Sequence, residues 1–194
     1  MGESQVSVPC STTPRKGLTT PRKGLLRWRS YPLTLTLTLT SVEELYLGGC
    51  ELGAAAMLSL RPLLGAVKRL DLARNGLVCK GAETLAQALT GCSTPVMHLS
   101  LRDNDIAEAG ASAVARAVGS GGVAKLMTLN LRQNTIGDEG TSALCNALKK
   151  HAALTALDLR EHGLTSAAAP VVAELLVQGA PLLTLLLCRN DLLD

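Results

Sequence analysis

Three arginines stand 30 and 28 residues apart, at Arg102, Arg132 and Arg160. A guanidinium is always charged and presents paired N–H donors in a plane. A row of them suits a carboxylate-rich or phosphate-bearing partner held by bidentate contacts. Neighbouring acids (Asp103, Asp158 and Glu161) could instead neutralise the row laterally and leave a mixed, solvated surface. Asp71 and Asp158 flank the row and favour a partner of mixed charge.

Catalytic chemistry has less to work with. The histidines are His98, His151 and His162. Ser100 lies two residues from His98, but no acidic orienter accompanies them to complete a nucleophile–base arrangement. There is no glycine-rich phosphate loop and no metal-ligand spacing. The six cysteines (10, 50, 79, 92, 145 and 188) form no C-x-x-C pair and read as free thiols in a reducing compartment. The chain is therefore expected to be no enzyme, with no catalytic residues, no metal and no cofactor.

The elements that position the arginines come from a repeat. The pair Leu-x-Leu recurs at Leu45/Leu47, Leu70/Leu72, Leu99/Leu101, Leu129/Leu131, Leu157/Leu159 and Leu185/Leu187, at intervals of 25, 29, 30, 28 and 28. Period 2 within each pair puts both leucines on one face of a short strand. An apolar pair four residues apart follows in each full unit, such as Leu85/Leu89 and Leu144/Leu148. That spacing is the buried stripe of a helix. Each unit is then strand, turn, helix and return loop, and strands joined through helices stack in parallel. A period near 28 means a solenoid, whose regular surface usually binds partners.

Another column lies three residues after each second leucine: Cys50, Asn75, Asn104, Asn134, His162 and Asn190. The sharp turn there buries backbone N–H and C=O groups. An Asn amide offers both donors and an acceptor, so stacked amides form a structural turn ladder. His162 supplies one donor and one acceptor, and Cys50 substitutes more weakly through its thiol. Gly81, Gly110 and Gly140 recur six residues later and are expected to ease backbone entry into each helix.

The pattern L-x-x-L-x-L-x-x-N-x-L/I followed by G-A-x-x-L-A-x-A-L resembles the ribonuclease-inhibitor type of leucine-rich repeat. It is clearest in VKRLDLARNGLVCKGAETLAQAL (67–89) and LMTLNLRQNTIGDEGTSALCNAL (126–148). Similar arrays occur in NOD-like receptors and in Ran GTPase-activating protein. The resemblance implies an α/β solenoid, a right-handed β/α horseshoe of five full repeats plus one partial repeat, over residues 42–194. The side chains between and beside the leucines then line the concave face, where partner contact is expected at Tyr46, Asp71, Ser100, Asn130, Asp158, Arg102, Arg132 and Arg160.

Composition agrees with an aliphatic core: 47% of residues are hydrophobic, 2% are aromatic, and there is no Phe. No uninterrupted apolar stretch is long enough to span a membrane. Residues 1–41 hold six basic residues against Glu3, a net +5, while the remainder holds 13 basic and 15 acidic residues, a net −2. Nucleic acid is thus disfavoured as a partner of the array, which also lacks aromatics for base stacking.

Residues 1–32 read as a basic, disordered tail carrying the tandem duplication TTPRKGL at 12–18 and 19–25. Thr13 and Thr20, each before a proline, are candidate phosphorylation sites. The expected compartment is the cytoplasm, with mitochondrial or nuclear targeting by the tail left open. The alternating LTLTLTLT at 33–40 makes 33–41 a candidate capping strand.

Two departures stand out. Pro62 falls inside the first expected helix and should shorten it. The last unit stops after its strand and turn, leaving leucines at an uncapped end, as in a truncated array or one that buries this end by self-association or against a partner. The function expected is that of a non-catalytic scaffold or adaptor binding another protein. The alternatives are a regulator of a small GTPase, similar to Ran GTPase-activating protein, and the sensor fragment of a NOD-like receptor. Replacing the three arginines together is expected to abolish partner capture and leave thermal stability nearly intact.

Overall fold

The computed structural model describes residues 5–7, 42–90, 94–178 and 181–192. In these, strands and helices alternate: β1 (Gln5–Ser7), β2 (Glu44–Tyr46), α1 (Ala54–Ser59), β3 (Arg69–Asp71), α2 (Val78–Thr90), β4 (His98–Ser100), α3 (Glu108–Gly119), β5 (Thr128–Asn130), α4 (Gly137–Leu148), β6 (Ala156–Asp158), α5 (Ala169–Gln178) and β7 (Thr184–Leu186). A single 3-10 turn, Ser166–Ala168, leads into α5. The strands form one open parallel sheet in chain order, and the helices pack on its other side.

Register follows the leucines. Leu45, Leu70, Leu99, Leu129, Leu157 and Leu185 sit opposite one another across five consecutive strand pairs. In β2 to β5 the middle leucine is buried and its two neighbours are half-exposed, so one face of the sheet serves the core and the other carries the polar side chains. Leu70, Leu72, Leu85, Leu99, Leu101, Leu129, Leu131 and Leu144 belong to one continuous aliphatic cluster between sheet and helices. At about 25 cal/mol per Å² of apolar surface, this shared burial is the main stabilising term.

Gln5–Ser7, inside the expected tail, pairs with β2 and extends the sheet by one strand. The capping strand expected at 33–41, the candidate phosphorylation sites Thr13 and Thr20, and the rest of 1–32 lie outside the described residues.

Pro62 acts as expected. α1 ends at Ser59, and residues 60–66 continue as turns. Proline has no N–H to donate to Leu58, so the α-helical ladder cannot pass through it.

The recurring glycines mark a tight entry into each helix, as read in the sequence: a Cβ would lie 2.7 Å from Leu77 Cβ at Gly81, and 2.7 and 2.5 Å from the Cγ2 atoms of Ile106 and Ile136 at Gly110 and Gly140. At two of them a neighbouring helix adds to the crowding. A Cβ on Gly110 would lie 3.1 Å from Cys79 Cα and 3.2 Å from the Ala82 methyl, both on α2. On Gly140 it would lie 3.2 Å from Glu108 Cα and 3.1 Å from the Ala111 methyl, both on α3. Glycine there lets neighbouring helices touch near their first turns.

The last unit also departs from the pattern. Leu176, aligned with the buried Leu89 and Leu148, is 53% exposed, while Val172 and Leu175 are buried like the aligned Leu85 and Ala88. The inward face of α5 is thus kept, and Leu176 is uncovered because α5 packs against α4 and, among the described residues, against no further α-helix. Around β7, which pairs with β6 alone among the described residues, Leu183 is 86% exposed.

Candidate interaction surface

The asparagine column is a hydrogen-bonded ladder, buried at Asn75, Asn104 and Asn134. Asn75 Oδ1 accepts from the backbone N–H groups of Cys50 (3.0 Å) and Leu52 (3.1 Å) in the preceding unit. Its Nδ2 donates to the carbonyls of Leu47 and Leu72, both at 2.9 Å. Asn104 repeats this toward Asn75 N–H and Leu72 O, and Asn134 toward Asn104 N–H, Ile106 N–H, Leu101 O and Leu131 O. Asn190 closes the series on His162 N–H, Leu164 N–H, Leu159 O and Leu187 O. Each amide thus joins two adjacent turns.

His162 is the weak rung. Its Nδ1 donates to Asn134 O at 2.9 Å, but its Nε2 is buried and has no partner among the described residues. It does not accept from Asn134 and Ile136 as Asn134 accepts from Asn104 and Ile106. Burial pushes its pKa down to about 4, against weaker opposing effects from the Asn134 carbonyl, Asp158 and Glu161. Cys50 fills the first rung, its own N–H taken by Asn75 and its thiol reaching Gly48 O.

The turn preceding the ladder holds a left-handed column that sequence reading missed. Gly49, Arg74, Asp103, Gln133, Glu161 and Arg189 have φ of 67°, 57°, 56°, 58°, 61° and 62°. A non-glycine residue there costs roughly 1–2 kcal/mol. The cost is tolerated because the backbone N–H at this column bonds across to the next turn, Arg74 to Arg102 O at 2.9 Å and Gln133 to Arg160 O at 3.0 Å. Gly49 was the one sequence hint, since glycine adopts this conformation freely.

This geometry sets what the arginines meet on the helix-free face. Arg102 donates through Nε and Nη2 to Gln133 Oε1, at 2.9 and 2.7 Å. Arg132 makes the same two bonds to Glu161 Oε1, at 3.0 and 2.6 Å. Arg160 turns back on its own strand and grips Asp158 through both carboxylate oxygens, at 2.9 and 2.6 Å. Asp103 is engaged instead by Arg74 (3.2 Å), and Glu161 also receives Arg189 (3.1 Å).

Neutralisation by neighbouring acids, read from the sequence as lateral, therefore holds for Arg132 through Glu161, and for Arg160 through Asp158 on its own strand. Asp158 shows the balance of effects: burial opposes its charge, but the hydrogen bonds and charge of Arg160, with Arg132 nearby, hold its carboxyl below the usual range. The bonds from Arg132 lower Glu161 likewise.

The remaining expected contact residues also lie on this face, several of them with local work. Asp71, Asn130 and Asp158 each accept the N–H two residues on, from Ala73, Arg132 and Arg160, at 3.0, 3.0 and 3.2 Å. Such Asx turns fix the chain's exit from the strand. Tyr46 donates to Glu44 Oε2 at 3.0 Å. Ser100 is half-exposed at the centre of the face. His98 pairs through Nδ1 with Thr128 Oγ1 on the adjacent strand (2.9 Å) rather than with Ser100, and burial followed by the Arg69 charge lowers its pKa.

Among the described residues, no group of His, Cys, Asp and Glu is placed to hold a metal ion, and no helix is long and apolar enough to cross a membrane. Cys50, Cys79, Cys145 and Cys188 form no disulfide with one another.

Comparison with known proteins agrees with this architecture. The Leucine Rich repeat family matches residues 92–115 and 124–145. Among solved structures, the chain is similar to "Leiomodin-1 Actin-Binding Site 2 (ABS2)", with a TM-score of 0.56 and 19% identity over 72% of this chain and 81% of that one. No curated protein matches. The fold is an α/β solenoid of leucine-rich repeats.

Proposed function

We propose that this chain is a non-catalytic protein-interaction module, a scaffold or adaptor, that receives a partner protein on the helix-free, concave face of its sheet. The observation that carries this reading is a division of labour along each strand. The leucines are consumed by the core, while the residues between and beyond them form an open polar pavement across successive parallel strands. Such a rigid periodic surface supplies complementarity without reorganisation on binding. Leiomodin-1 ABS2, of similar fold, is named for actin binding, which supports reading the architecture as one that engages another protein.

Position-specific photo-crosslinking tests the proposal. A photoreactive residue at Ser100 or Asn130, on the strands, should yield protein adducts from cell lysate. The same group at Gln87 or Arg116, exposed on α2 and α3, should not. Adducts from the helix positions alone would remove the concave face from consideration.

A further inference from the structure

The rungs Arg102–Gln133 and Arg132–Glu161 are built alike. In both, one side-chain oxygen takes Nε and Nη2 of the arginine, and that oxygen comes from a left-handed residue one turn further on. They differ in charge. Glutamate cancels Arg132, whereas glutamine fixes the plane of Arg102 and leaves its charge intact. Arg102 is the member of the arginine row with no carboxylate in ion-pairing distance among the described residues, since Asp103, Glu161 and Asp158 are taken by Arg74, Arg132 and Arg160.

We propose that the Arg102–Gln133 pair is the subsite that receives a carboxylate from an acidic segment of the partner, while Arg132 and Arg160 brace the surface. This rests on the concave face being the recognition surface. The remaining donors suit that role, because Arg102 Nη1 and the Gln133 amide nitrogen have no partner among the described residues. A guanidinium already held in place loses little rotational freedom on binding, and a charge-assisted contact gains about twice a neutral one. A carboxylate is favoured over phosphate because Asp71, on the adjacent strand, has no ion-pair partner among the described residues, unlike Asp158 and Glu161. Its repulsion acts on one negative charge in a carboxylate and on nearly two in a phosphate.

The test is titration of the isotope-labelled full chain with the peptide Glu-Gly-Glu-Gly-Glu, its glutamine counterpart, and its phosphoserine counterpart, followed by NMR. The glutamate peptide should shift the Arg102 Nε–H signal, and the glutamine peptide should not. Gln133→Glu, which copies the Arg132 rung, should weaken binding at least tenfold without lowering the melting temperature. Glu161→Gln should strengthen binding severalfold by releasing Arg132. Undiminished binding to Gln133→Glu, or no shift at Arg102, overturns the subsite and leaves the concave reading standing. Shifts confined to the helix layer defeat both. Tighter binding of the phosphoserine peptide overturns the assignment to a carboxylate.

Discussion

The buried asparagine column and the exposed arginine column run through the same turns, yet they are satisfied differently. Asn75, Asn104 and Asn134 face a constant environment, because the backbone groups they bond recur in every unit. Arg102, Arg132 and Arg160 meet an amide, a carboxylate one turn on, and a carboxylate on their own strand. The contrast teaches that backbone demand holds a column close to one residue type, Cys50 and His162 being its two departures. Where only side chains and water meet, partners are free to vary, and that variation can carry specificity.

The sharpest break of the comparison is in the buried column. Asn104→Ala removes an acceptor for Asn75 N–H and Leu77 N–H and a donor to Leu72 O and Arg102 O. Each buried group left unpaired costs about 1–3 kcal/mol, so a loss on the order of 4 kcal/mol is expected in urea unfolding. A cost below about 1 kcal/mol would show that water replaces the amide and that the ladder is incidental.

The weak rung gives the next effect. His162 is 2% exposed and its pKa is lowered to about 4. The unfolded chain takes up the proton near pH 6.5, and the folded chain resists it until about pH 4. The stability tied to neutral His162 is thus complete above pH 6.5 and falls as pH drops through that window, by about 3 kcal/mol. His162→Asn should flatten the profile between those pH values and add about 1 kcal/mol at neutral pH by accepting the amides of Asn134 and Ile136. Loss of Asp158 and Glu161 pairing belongs to more acid conditions, because their carboxyls are held low. A profile unchanged by His162→Asn would place the acid-sensitive group elsewhere.

These outcomes bear on what was legible in the sequence. The strand register and the ladder could be read because Leu45 through Leu185 and Asn75 through Asn190 repeat a backbone requirement. The partner of Arg102 could not, because Gln133 lies 31 residues away and reaches it through a left-handed turn that no residue type there announces. Gln5–Ser7 escaped for another reason: three residues carry no periodicity, and their strand exists only by pairing with β2. Leu176 misled because its column is buried by helices on both sides, and α5 packs against α4 alone among the described α-helices.

The smallest effects lie in the arginine row, and they should be unequal. Arg160→Ala leaves Asp158, whose side chain is 11% exposed, without its bidentate partner. A lowered melting temperature is expected, because removing the half-exposed Arg160 strands a buried carboxylate. The triple arginine replacement is therefore expected to lower stability, against the reading made from sequence alone. Arg102→Ala strands only a neutral amide that water can satisfy, so its effect should stay within about 0.5 kcal/mol. Thermal melts of the two single variants decide the matter. If Arg102→Ala destabilises as much as Arg160→Ala, the Arg102 side chain is structural too, and the comparison between braced and available arginines collapses.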